Sequence, residues 1–218
     1  MNKCNKPWLL LVVVTLLSIL AGCNNTYLPK PRGYFKIGFP ERAYQKFDQP
    51  EFPYSFEYPV YADIVKDSSF FEAKPENPFW INVDFPRFQG RIYISYNRIG
   101  GKTLFKVKNK QGVYADSAGV NSFERLMKGS YELTFKHTYK ASSIEDSVFR
   151  TQNGVEGIYF TIGGNAATSN QFLVTDTVKH FLRGALYFDA TPNEDSLSVV
   201  NHFLEQDMKH LINSLRWK

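Results

Sequence analysis

The residue with the clearest chemical role in this sequence is Cys23, which ends the motif Leu20-Ala21-Gly22-Cys23. It is preceded by Lys3 and Lys6 and then by residues 8–20, which are apolar except for Thr15 and Ser18. This pattern is typical of a secretory signal peptide, and the apolar run is too short to span a bilayer comfortably. Small residues before a cysteine are typical of the lipobox of bacterial lipoproteins, whose cysteine receives fatty acyl chains such as palmitate and becomes the new N-terminus. The sequence therefore predicts a lipoprotein signal peptide over residues 1–22 and lipidation of Cys23. The alternative is an ordinary secretory signal with a chance cysteine.

The histidines could ligate a metal or transfer protons, but their spacing favours neither role. His202 and His210 lie on the last predicted helix, about two turns apart and on different sides of it. His137 and His180 lie near the ends of other predicted elements. No H-E-x-x-H motif and no histidine–cysteine cluster occurs in the sequence. We therefore predict surface or capping histidines and no metal site.

Motifs for a nucleophile or a phosphate site are also missing from the sequence. It has no G-x-S-x-G motif, and residues 100–103 (GGKT) match only the tail of a Walker A motif. Asp189, Glu194 and Asp195 fit the entry of a helix better than a catalytic carboxylate pair. We therefore predict no catalytic residue, no cofactor and no enzymatic activity.

The charge and the cysteine content of the chain argue against further kinds of partner and site. The chain has 26 basic and 21 acidic residues, a formal net charge of +5, and no basic run that would indicate a nucleic-acid partner. Cys4 leaves with the predicted signal peptide and Cys23 carries lipid, so the mature domain keeps no thiol. Disulfides, cysteine zinc sites and a thiol nucleophile are therefore not expected.

Aromatic residues make up 16% of the sequence. A sheet packed with tyrosine and phenylalanine explains most of them. The alternative is an aromatic groove that binds a peptide, a glycan or a lipid.

Residues 23–53 are predicted to form a lipid-anchored tether, because prolines recur through them and favour extended backbone. Their aromatic content is nevertheless high for a segment that stays in solvent. Tyr34, Phe35 and Phe39 are therefore expected to contact either the protein's own domain or a partner surface.

Residues 54–218 are predicted to form one domain that begins with strands. Alternating apolar residues predict a strand over 54–58 and a hairpin made of 79–85 and 92–96, with a loop over 60–78. Residues 148–162 predict a second hairpin with Asn153-Gly154 in a type I′ turn. Further strands are predicted over 171–175 and 181–189, and residues 103–113 are left open as a turn of helix.

Two helices complete the predicted domain. Apolar residues recur with helical spacing from Phe123 to Phe135, and Asn121 with Glu124 indicates a capping box. A continuous apolar stripe from Leu197 to Leu215 predicts a C-terminal helix. This order predicts an α+β fold with an antiparallel sheet covered by helices, and it resembles the PsbP/Mog1-like α/β/α sandwich.

Four segments carry a resemblance to a known family. They are YLPKPRGYF at 27–35, FPERAY at 39–44, PYSFEYP at 53–59 and ATPNEDSL at 190–197. In this order after a lipobox they resemble the gliding motility lipoprotein family GldD of Bacteroidetes. The resemblance implies a role in gliding and in type IX secretion, with other envelope proteins of that machinery as partners. Only the lipidation site, Cys23, transfers from the family as a site residue.

The residues after the cysteine bear on location. Asn24 stands where an aspartate would retain a lipoprotein in the inner membrane, and no acidic cluster of the kind that marks surface lipoproteins follows it. We therefore expect a lipid-anchored protein of the outer membrane that faces the periplasm.

Overall fold

The computed structural model describes residues 37–66, 77–108 and 112–218. The predicted signal peptide, Cys23, Tyr34 and Phe35 lie outside the described residues. Residues 38–218 form one compact unit. Its strands are β1 (Tyr44–Phe47), β2 (Tyr54–Pro59), β3 (Asp63–Lys66), β4 (Ile81–Phe85), β5 (Gly90–Arg98), β6 (Lys102–Lys108), β7 (Tyr114–Val120), β8 (Ala141–Arg150), β9 (Glu156–Gly164), β10 (Asn170–Thr175), β11 (His180–Phe188) and β12 (Arg216–Trp217). Its helices are α1 (Phe123–Phe135) and α2 (Glu194–Ser214).

A seven-stranded antiparallel sheet in the order β3-β4-β5-β11-β10-β9-β8 forms the centre of the fold. Successive side chains of a strand point to opposite faces, so each strand supplies two layers. Leu182 and Phe172 lie on the face that packs against α2, whereas Phe181 and Leu173 lie on the face that packs against α1. The helices therefore cover opposite faces of the sheet, and the predicted α+β fold is confirmed.

The apolar stripe of helix α2 determines which face packs against the sheet, and its N-cap residue determines where the helix begins. Leu204, Met208 and Leu211 are buried against the sheet. The Asn193 side chain accepts a hydrogen bond from the Ser196 amide at 3.2 Å, which satisfies an unpaired helix-start donor. The predicted C-terminal helix is thereby confirmed.

Helix α1 begins one residue later than the predicted capping box. Ser122 is its N-cap, and the Ser122 hydroxyl accepts from the Arg125 amide at 3.2 Å. The capping role predicted for Asn121 is therefore wrong. The Asn121 backbone is held instead by Gly100 and Gly101, through hydrogen bonds of 2.8 and 2.9 Å.

A second, three-stranded sheet in the order β1-β2-β12 lies beside α2. It draws the distal part of the predicted tether into the fold, because β1 pairs with β2 and Phe47 and Phe52 are buried. Phe47 stacks on Phe56 at 5.1 Å between ring centroids. Residues 38–53 thus belong to the same compact unit as the strands that follow.

Two other sequence predictions about local structure are wrong, the loop over 60–78 and the type I′ turn. Strand β3 lies inside residues 60–78, and β6 includes residues 103–108, where the sequence leaves a turn of helix open. The hairpin between β8 and β9 is present, but its turn is not type I′, because only Gly154 has a positive φ, of 76°. The Thr151 amide donates to the Val155 carbonyl at 2.8 Å, so the loop is one residue longer than a type I′ turn allows.

Candidate functional site

A groove lies on the α1 side of the main sheet. In the described part of the chain, α1 packs over Phe160, Leu173 and Phe181, while the same face of β4, β5 and β11 forms the floor of a cavity of about 1010 Å³. A volume of this size is in the range of ligand-binding clefts. Its side chains include Trp80, Asn82, Asp84, Arg91, Tyr93, Ser95, Leu133, Arg183 and Tyr187. We call this site the aromatic groove.

The rings of the aromatic groove are held in place. Tyr93 and Tyr187 meet edge to face, with 5.6 Å between their centroids. The Trp80 Nε1 donates to the Tyr96 carbonyl at 2.9 Å, which fixes the plane of the indole. Arg91 lies 5.7 Å from the centroid of the Tyr93 ring. Rings restrained in this way present apolar surface at little cost in side-chain entropy.

Arg183 is the unusual charge of the aromatic groove. Arg91 is paired with Asp84 at 2.9 Å, but no acidic side chain of the described residues forms an ion pair with Arg183. The Arg183 guanidinium donates instead to Gln171 Oε1, which also accepts from Thr134 Oγ1 at 3.0 Å. Burial lowers the pKa of Arg183. The floor of the groove therefore holds a partly desolvated cation without an anionic partner.

A second polar centre, around Asp207, joins the N-terminal residues of the unit to α2. Asp207 is 1% exposed and accepts from Tyr44 at 3.0 Å, from Tyr61 at 2.6 Å and from Arg42 Nε at 3.3 Å. Arg42 also donates to the Phe203 carbonyl at 3.0 Å. Burial and the Asp207 charge raise the pKa of Tyr44 to about 12. We call this set the Asp207 cluster.

Phe39, one of the proposed partner contacts, lies against the protein's own surface next to the Asp207 cluster. Its ring stacks on Phe203 at 4.4 Å and lies 5.7 Å from Phe88. Phe39 is only partly buried. Contact with a partner therefore stays a prediction for the exposed part of this ring, and for Tyr34 and Phe35, which are outside the described residues.

The structure places the four histidines in separate environments. His180 is buried, its Nδ1 lies 2.8 Å from the Tyr96 hydroxyl, and its ring stacks on Trp217 at 5.0 Å. Burial lowers the pKa of His180.

The other three histidines lie nearer to solvent, and each has a different neighbour. His210 contacts Glu57 at 2.7 Å, and His202 lies 3.5 Å from Glu205. The ring of His137 lies 6.3 Å from that of Tyr187. Within the described ranges, no three His, Cys, Asp or Glu residues group as a metal site would require.

Comparison with known protein families gives a decisive match. The sequence profile of the gliding motility lipoprotein GldD family matches residues 24–217. The chain belongs to this family. Membership in this lipoprotein family connects the chain to gliding motility and implies association with a membrane. Among the residues that the structure describes, no helix has the length and apolar character needed to cross a bilayer.

Two solved structures are similar to this GldD-family protein in fold. One is the solution structure of cyanobacterial PsbP (CyanoP) from Synechocystis sp. PCC 6803, with 12% identity over 87% of this chain and 99% of that chain and a TM-score of 0.41. The other is the crystal structure of the Saccharomyces cerevisiae Ran-binding protein Mog1p, with 9% identity over 81% and 96% and a TM-score of 0.44. No curated protein matches the chain by sequence.

Proposed function

We propose that this GldD-family protein is a non-enzymatic, lipid-anchored accessory or assembly factor of the gliding motility and type IX secretion machinery. The observation that carries the proposal is the match of the family profile to residues 24–217, nearly the whole length after the lipobox. We place the protein in the outer membrane, facing the periplasm, with lipid on Cys23. It would act by holding partners near the membrane, because tethering raises the effective concentration of the lipoprotein and its partner for each other.

The contacts of the buried polar groups support a non-enzymatic role. Asp207 accepts hydrogen bonds from three side chains of the same fold, and His180 is held between Tyr96 and Trp217. Both groups stabilise packing between elements. A general acid or base needs a proton donor or acceptor that a substrate can reach.

A second candidate function is a ligand-binding envelope lipoprotein, which the aromatic groove favours. Its restrained rings, and a cation that has no anionic partner among the described residues, are suited to a lipid, a glycan or a peptide. The two functions are compatible if the ligand belongs to the secretion or gliding machinery.

The anchoring part of the proposal is tested in a deletion strain that carries the chain with Cys23→Ala. We expect this variant to fold but to lack the acyl chains that hold a lipoprotein on its membrane. We also expect it not to restore surface spreading. The matched control is Cys4→Ala, which lies within the predicted signal peptide and should behave as wild type. Normal spreading with a chain shown to be unlipidated would contradict the proposal.

A further inference from the structure

We propose that the aromatic groove binds an extended segment of a partner protein that carries a carboxylate, with Arg183 as the residue that recognises this carboxylate. The inference rests on the proposed function in one respect, because it takes the occupant to be a protein partner. It adds the location of the docking site and the chemistry of the segment that docks there.

The charge pattern of the groove indicates an anionic group on the ligand. Asp84 and Arg91 neutralise each other at 2.9 Å, and Asp189, which also lines the groove, is exposed to solvent. The half-buried Arg183 donates only to neutral groups, Gln171 and Tyr187, in the described part of the chain. A planar guanidinium matches a carboxylate through two parallel hydrogen bonds. This pairing is strengthened where the cation is shielded from water, as it is on the groove floor.

The Arg183 side chain is also positioned before a ligand arrives. Its Nη2 donates to Gln171 Oε1, and Gln171 is fully buried. Thr134 Oγ1, on α1, donates to the same oxygen at 3.0 Å. The sheet and α1 therefore hold the guanidinium jointly, which reduces the entropy that binding must remove.

The remaining walls of the groove favour a peptide over a sugar. Trp80, Tyr93 and Tyr187 together with an arginine are the residue types that dominate the binding energy of protein interfaces. Leu133, on α1, adds an apolar side chain to the groove and is 45% exposed. Apolar residues on either side of the carboxylate would therefore find contacts along the groove.

The test is a selection on the mature lipoprotein, immobilised in detergent micelles, from a phage-displayed library of random dodecapeptides. We expect the enriched peptides to share an aspartate or glutamate flanked by aromatic or aliphatic residues. The best peptide, made with a fluorescein label, should bind Arg183→Gln at least about tenfold more weakly than wild type. Replacing its acidic residue by the amide should weaken binding to wild type to a similar degree and weaken binding to Arg183→Gln no further.

Two further variants separate recognition from folding. Arg216→Gln removes an exposed arginine from β12, in the other sheet, and should bind the peptide as wild type does. Tyr93→Ser removes a groove ring while keeping Arg183, and it should also lose about tenfold in affinity. Thermal unfolding of each variant shows that the fold is retained.

Several results would overturn the inference. They are a library without enrichment, enriched peptides that lack a carboxylate, or equal binding to wild type and Arg183→Gln. Arg183-dependent binding of oligogalacturonate or of phosphatidylglycerol vesicles, with no peptide enriched, would assign the groove to an acidic glycan or a lipid instead. Because the selection uses purified protein, its failure would leave the proposed role in gliding and secretion untouched.

Discussion

At the scale of single residues, Asp207 is a buried side chain that accepts three long-range hydrogen bonds. It is 1% exposed and accepts from Arg42, Tyr44 and Tyr61, which lie more than a hundred residues away in sequence. An ionised carboxylate is strongly disfavoured in a core unless donors surround it. The Asp207 cluster therefore couples the first described residues of the unit to its last helix.

We predict that Asp207→Ala lowers the free energy of unfolding by about 2–4 kcal/mol, because it leaves two tyrosine hydroxyls and a partly exposed arginine without their acceptor. Denaturant unfolding of the mature chain measures the loss. The control is Asp195→Ala, an exposed carboxylate in the first turn of the same helix, for which we expect about 1 kcal/mol or less. Equal losses for the two variants would show that the cluster does not stabilise the fold.

His180 predicts a pH dependence of stability. Burial lowers its pKa in the folded state below the ordinary value near 6.5, with Lys179 and Arg98 acting in the same direction and Asp176 opposing them. A group of this kind stabilises the fold fully above its unfolded pKa, and this stability is lost as pH falls through the lowered folded pKa. The free energy of unfolding should therefore decrease from pH 7 to pH 5.

The variant that checks this is His180→Gln, in which part of the decrease should disappear. His137, whose pKa burial also lowers, should account for a further part. The exposed His202→Gln is the control and should keep the wild-type slope. If the free energy of unfolding changed with pH equally in His180→Gln and in wild type, His180 would not be the source of the pH dependence.

The residues of the candidate site were only partly accessible to sequence reasoning. The aromatic excess leaves a groove open as the alternative to a packed sheet, but the lining residues come from separate parts of the chain, so spacing could not assemble them. Asp207 did leave a signal, because it falls between Leu204 and Met208 on the apolar stripe of α2. An acid at such a position needs buried donors, and the sequence alone does not show where they come from.

At the scale of elements, the main sheet depends on a close approach between β10 and β11. A Cβ on Gly184 would overlap the ring of Phe172, which lies over the strand at that position. We predict that Gly184→Ala destabilises the protein by about 1–3 kcal/mol through overpacking. Thermal or denaturant unfolding measures this.

Gly129 offers a matched comparison on α1. An added Cβ there meets no atom within 4 Å, and the residue lies inside the helix. Gly129→Ala should therefore stabilise the protein by about 0.5–1 kcal/mol, from helix propensity alone. If both alanine variants changed the free energy of unfolding in the same direction, the close contact between Gly184 and Phe172 would not explain the result.

Periodicity predicted those elements in which one face is buried. The stripe of α2 and the alternation in β4 and β5 were clear because burial selects apolar residues at fixed spacing. Strand β3 was missed because it has four residues at the sheet edge, and none of them is buried. Strand β12 was missed because its pairing with β2 is tertiary and has no local pattern.

At the scale of the whole molecule, the two helices cover opposite faces of the seven-stranded sheet. Helix α1 covers only part of its face of the sheet, and the uncovered part is the aromatic groove. The family match covers the compact unit as far as residue 217 and also the residues that follow the lipobox. We infer that anchor and groove act together, because a modest docking affinity is sufficient when both partners are held at one membrane.

The most direct test of the central claim is a clean deletion of this gene, with surface spreading and the release of secreted proteins measured in the same cultures. We predict that both are lost, that the wild-type chain restores both, and that the Cys23→Ala chain restores neither. Normal spreading together with normal secretion in the deletion strain would contradict the proposed role in the gliding and secretion machinery.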